Sequence, residues 1–135
     1  QMTKFIANSV ESFRNYFSDD FVVFNISFEE SDPEKGGESW SFQRTLGKDG
    51  TLESLGEDDD GVCAVKEIQQ ATCYECIESA VLTRDSFSCL FTEKGSKECG
   101  TSSIQVAFSL NDEQWEELKS TAQLVFLNRE YFKVA

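Results

Sequence analysis

The sequence predicts an α+β fold: a mostly antiparallel sheet with a C-terminal amphipathic helix packed on one face, all within a single domain spanning residues 1–135. Three observations predict it. Several segments alternate apolar and polar residues with a period of two, the pattern of strands with one buried face. The connections between them are mostly hairpin-length or polar loops, which favour antiparallel pairing. The longest helical pattern comes last, where one helix could cover one face of the sheet.

The elements follow in order. Residues 3–17 mix helical spacing with a possible strand end at Asn8-Ser9, and read as a strand followed by an irregular or helical turn. From Phe21 the pattern is clean: Val22, Phe24, Ile26 and Phe28 alternate with Val23, Asn25, Ser27 and Glu29. Residues 30–37 hold the only proline and two glycines and predict a loop. Trp40, Phe42 and Leu46 alternate with Ser41, Gln43 and Thr45 in a second strand. A long polar loop, 47–61, carries Glu57, Asp58, Asp59 and Asp60 in succession. Residues 62–70 predict a third strand. Residues 77–83 and 87–91 form a hairpin around Arg84-Asp85, 92–102 a loop, and 104–110 another strand.

The terminal helix is the best supported. Asn111 can act as N-cap, with Gln114 three residues on completing a capping box. Asp112 and Glu113 lie in the first turn, where the helix dipole favours negative charge. Trp115, Leu118, Ala122, Val125 and Phe126 form one apolar stripe, with Glu116, Glu117, Lys119 and Gln123 facing away. Asn128 is expected to end it, and Tyr131, Phe132 and Val134 imply a tail that packs down.

Composition bounds the function. The chain has 25 acidic and 12 basic residues, a net charge of −13, and no histidine. Such a field repels nucleic acid and anionic membranes and draws in basic proteins. Without histidine the commonest general base and metal ligand are missing. No serine has a histidine base, and no glycine-rich phosphate loop occurs. The expectation is a non-enzymatic binding protein with no cofactor. No apolar run approaches the ~20 residues of a membrane span. No signal peptide is visible. Met2 reads as a native start, with a mature N-terminal Gln1 as the alternative.

Five cysteines, Cys63, Cys73, Cys76, Cys89 and Cys99, are a poor fit to a closed disulfide framework. Free, partly buried thiols in a reducing compartment are the leading reading. Two alternatives stand beside it. One is a secreted, partly disulfide-bonded small-ligand carrier whose aromatic strands line a cavity. The other is a zinc or redox protein built on Cys73 and Cys76, recruiting Cys89 and Cys99. Asp58, Asp59 and Asp60 lack EF-hand spacing. Trp40 and Phe42 read as core.

The run Cys76-Ile77-Glu78-Ser79-Ala80-Val81-Leu82, the hairpin after it, Ile104-Gln105-Val106-Ala107-Phe108, and the acidic-start helix through Gln114-Trp115-Glu116-Glu117-Leu118 to Phe126 together resemble the immunity protein 10 family. Residues 21–26 and Ser41-Phe42-Gln43-Arg44 are similar too, so the resemblance spans about residues 20–127. It departs at Tyr74-Glu75-Cys76, where the family pattern has Tyr-Gly-Gly, and residues 10–20 look like an insertion. These are small bacterial immunity proteins of polymorphic toxin systems. The resemblance implies a cytoplasmic protein that binds and blocks a cognate toxin, expected to be basic, a nuclease being one such class. The partner-facing candidates are Glu29, Glu30 and Asp32 at the first loop, Glu57, Asp58, Asp59 and Asp60 at the second, and Tyr74, Glu75 and Glu78. Tyr74 and Trp40 are candidate anchors if exposed.

Overall fold

The computed structural model describes residues 1–16, 18–31, 35–55, 60–67 and 71–135. It corrects the expected fold class. Strand accounts for 48% and helix for 18%, in two five-stranded sheets with two helices, so the fold is mostly β and not a single sheet under one helix. The strands are β1 (Met2–Ile6), β2 (Ser9–Tyr16), β3 (Phe21–Glu29), β4 (Ser39–Gly47), β5 (Cys63–Lys66), β6 (Ala71–Tyr74), β7 (Ile77–Thr83), β8 (Ser86–Phe91), β9 (Ser103–Ala107) and β10 (Phe132–Val134). The helices are α1 (Glu93–Cys99) and α2 (Asp112–Val125).

One sheet is a meander in chain order, β2-β3-β4-β5-β6, antiparallel throughout. The other runs β1-β9-β8-β7-β10, with an antiparallel centre and a parallel strand at each edge. The alternating residues of β3 point to the inner face as their spacing requires: Val22, Phe24, Ile26 and Phe28 are all buried, and α2 packs against β2, β3 and β4. Phe28 stacks on Phe87 at 5.1 Å and on Phe108 at 5.8 Å, and Trp40 meets Phe91 at 5.6 Å. These rings fill the space between the sheets, where a carrier would hold its ligand. Trp40 is fully buried, which removes it as a partner anchor.

The capping box of α2 forms as the sequence predicts: Asn111 Oδ1 accepts from Gln114 N, and Asn111 N donates back to Gln114 Oε1. Leu118, Ala122 and Val125 turn inward, and Phe126 packs on Phe42 and Phe87. The tail packs down as β10, parallel to β7.

Four local expectations change. Residues 2–16 form two strands with no helical turn, because β1 pairs with β9 and β2 with β3. Residues 93–99, expected as loop, are helical: Thr92 Oγ1 accepts from Gly95 N and caps the turn. Gly95 is a packing requirement, since a Cβ there would sit 2.6 Å from the Cys76 carbonyl oxygen. Residues 71–74 add a strand, while the strand expected over 62–70 is described only as Cys63–Lys66, and 68–70 lie outside the described residues. The strand expected over 104–110 is Ser103–Ala107.

Candidate functional site

The two sheets turn their apolar faces toward each other, so each also has an outward face. The outward face of the β2–β6 sheet holds two concavities. One, of about 330 Å³, is lined by Glu11, Phe13, Asn25, Glu29, Gln43 and Glu67 among others. The other, of about 300 Å³, includes Gln43, Thr45, Leu55, Asp60, Cys63 and Tyr74. They share Gln43 and together run along the sheet.

The floor is polar. Asn25 Nδ2 donates to Ser27 Oγ at 2.6 Å, Ser27 Oγ lies 3.2 Å from Ser41 Oγ, and Ser41 Oγ donates to Glu67 Oε1 at 3.2 Å. Asn25 is 1% exposed, yet its Oδ1 has no hydrogen-bond partner. Leaving a buried acceptor unpaired costs about 1–3 kcal/mol. Among the described residues, the first concavity therefore combines three carboxylates, no lining cation and one unsatisfied amide oxygen.

The predicted acidic residues do not all meet here. Glu29 sits on this face at the end of β3, and Glu30 Oε1 accepts from Glu38 N just beyond it. Asp60 and Tyr74 line the second concavity, at the opposite end of β3 and β4. Tyr74 is 51% exposed. Its hydroxyl is pushed up by the adjacent Cys63 thiol, and burial pushes the Cys63 thiol up in turn. Asp32, Glu57, Asp58 and Asp59 lie outside the described residues. Glu78 is exposed at the irregularity between Ile77 and Ser79 in β7, on the other sheet. The acids of α2 form a separate group, where Asp112 pairs with Arg84 at 3.0 Å.

Glu75 is occupied within the chain. Its Oε2 accepts from Val62 N at 2.7 Å, and its Oε1 meets Arg129 Nε at 2.7 Å. Its φ is +49°, a left-handed backbone that glycine reaches freely and other residues reach at a cost. This is the step where the family resemblance has glycine. Gly61 completes the lock: at φ +86° a Cβ would stand 2.6 Å from the Glu75 side chain.

Phe13, Glu11, Asn25, Gln43 and Glu67 were not among the sequence candidates. The alternation along β3 and β4 marks Asn25 and Gln43 as facing away from the core. It carries no sign that Asn25 is buried, because that depends on the neighbouring strands.

All five cysteines are free and buried. Cys76 Sγ approaches the Cys73 carbonyl oxygen at 3.5 Å and also hydrogen-bonds with the Cys99 thiol. That contact pushes Cys76 up and holds Cys99 below the usual thiol value, while burial pushes Cys73 up to about 11. Among the described residues, no three His, Cys, Asp or Glu side chains are arranged to hold a metal ion. Likewise no helix among them is long and apolar enough to cross a membrane.

A broad sheet face with carboxylates at its rim and half-exposed aromatics at its sides is the kind of surface a binding protein presents. The immunity protein 10 family model matches residues 7–116, and the chain belongs to that family. The match takes in residues 10–20 and ends within α2. No curated protein matches the chain, and neither does any solved structure. The family is that of immunity proteins of polymorphic toxin systems; such proteins are generally non-enzymatic, and membership implies a cognate toxin as partner.

Proposed function

We propose that this protein neutralises its cognate toxin in the cytoplasm by binding it through an acidic surface, and that the toxin is basic, a nuclease being one such class. Family membership supports the partner. The observation that carries the surface is the outward face of the β2–β6 sheet: Glu11, Glu29 and Glu67 line one concavity, with no lysine or arginine among the described residues lining it, and Asp60 lines the next together with Arg44. An acidic face on a chain of charge −13 speeds encounter with a basic partner and rejects a like-charged one.

The test is co-expression with the toxin domain encoded beside the gene. The wild-type chain should restore growth to cells making the toxin and should co-purify with it. Growth arrest despite soluble expression of both proteins would overturn the reading. A toxin domain with a strongly acidic surface would overturn its electrostatic part.

A further inference from the structure

One row of side chains crosses the outward face of the β2–β6 sheet and includes every strand. The registers place Phe13 beside Asn25, Asn25 beside Gln43, Gln43 beside Cys63, and Cys63 beside Tyr74. The row begins and ends on edge strands, each contributing an aromatic ring that is half exposed: Phe13 at 45% and Tyr74 at 51%. At its centre are two amides, and one of them, Asn25, is sealed from water with its oxygen unpaired.

Within the fold Asn25 makes one side-chain hydrogen bond, from Nδ2 to Ser27 Oγ, which uses only half of its amide. Asparagine is disfavoured in strands, and a threonine or valine would suit the pleat better. Its Nδ2 bond to Ser27 leaves the oxygen available. Around it the same concavity places Glu11, Glu29 and Glu67. An unpaired acceptor beside three carboxylates calls for a group with several donors and a positive charge. A guanidinium has five donors in a planar fork and is less strongly hydrated than an ammonium, so it can serve an amide oxygen and a carboxylate together.

We infer that this row is the toxin-docking surface, and that the toxin places an arginine side chain against the Asn25 amide oxygen between these glutamates. Phe13 and Tyr74 pack on the toxin to either side and hold it there. Because the Asn25 oxygen is closed off in the free protein, docking includes a rotamer change in a neighbour, a common event at interfaces. Phe13, adjacent and half exposed, is the side chain free to turn. The inference rests on the immunity reading and deepens it by naming the face and the chemistry.

The opposite outward face supplies the control. Two concavities there are lined by residues such as Lys4, Ser88, Leu90 and Gln105, with no carboxylate among the described residues. A basic toxin meets less negative charge at these concavities than at the first.

The test measures affinity for a catalytically inactive form of the toxin domain encoded beside the gene. Asn25→Leu removes the orphaned oxygen at similar volume. It should leave thermal stability unchanged or slightly raised, while affinity falls about 10-fold or more. The double variant Phe13→Ala with Tyr74→Ala should lose about 10-fold or more, mainly through faster dissociation. Leu90→Ser with Gln105→Glu should stay within about 2-fold of wild type. A wild-type protein that binds while Asn25→Leu and the aromatic double variant bind equally well overturns the docking row and leaves the immunity reading standing. Equal losses from the control variants overturn it too. A wild-type protein that does not bind the toxin domain overturns both. If Asn25→Leu does not fold, the aromatic double variant and Glu11→Gln, all at exposed positions, decide the outcome.

Discussion

At residue 75 the backbone and the side chain pull in opposite directions. The left-handed φ of Glu75 favours glycine, while its carboxylate joins Val62 N to Arg129. The two contributions separate by substitution. Glu75→Ala loses the carboxylate and keeps the backbone cost, whereas Glu75→Gly loses the carboxylate and removes that cost. Glu75→Gly should therefore be more stable than Glu75→Ala by about 1 kcal/mol, the reverse of the usual order, in chemical denaturation. The thiols make a second residue-scale prediction. No cysteine exceeds 6% exposure, and only thiolates react readily. The folded protein should consume a thiol reagent slowly at neutral pH and release all five equivalents at once on unfolding. Rapid reaction of several thiols in the native state would contradict the burial described.

At the scale of elements, α2 is held at both ends by different means. Its start uses the Asn111–Gln114 capping box, and Asn111→Ala should cost about 1 kcal/mol, seen as a lowered denaturation midpoint at unchanged slope. Its end rests on Arg44, which is 1% exposed on the inner face of β4 and whose Nη1 donates to the carbonyls of Val125 at 3.2 Å and Leu127 at 3.0 Å. A cation there also meets the negative end of the helix dipole. Arg44→Met fills much of the volume and abandons the carbonyls, and a loss of about 2–4 kcal/mol is expected in the same assay. The start was legible in the sequence because a capping box is local. The clamp was not: Arg44 continues the alternation of Trp40 and Phe42, and only the folded partner 81 residues away shows why a charge belongs on that face. The same division explains the other elements. β3, β4 and the β7–β8 hairpin read directly from alternation. β1 and β10 are ordered by parallel partners distant in sequence, and α1 was obscured by Gly95, whose packing role is tertiary. At the candidate site, Tyr74 and Asp60 were legible by type, whereas the unsatisfied Asn25 needed five strands in register.

For the whole molecule, charge and architecture work together. Among the described residues, carboxylates line a concavity on the outward face of one sheet and none lines the concavities described on the other. If the acidic face steers encounter, the association rate with the toxin domain should fall about 10-fold or more between low salt and about 0.5 M, while dissociation changes little. Stopped-flow mixing across that range measures it, and a flat association rate would remove electrostatic steering from the account. The net charge of −13 also lies far from neutrality, which opposes self-association through the acidic face.

The two sheets differ in when a ribosome could complete them. Every pairing in the β2–β6 meander joins successive segments, so the chain holds that whole sheet once residue 74 has emerged. The other sheet needs both ends of the protein, because β1 waits for β9 and β7 waits for β10, the last strand made. At about 5–20 residues per second, several seconds separate the two events. Early in that interval Phe28 lacks the rings that cover it, because Phe87 and Phe108 are made after residue 74. The surface we assign to the toxin is thus the earlier one to be synthesised, and the sheet that covers its reverse side gains its last edge strand only as translation ends.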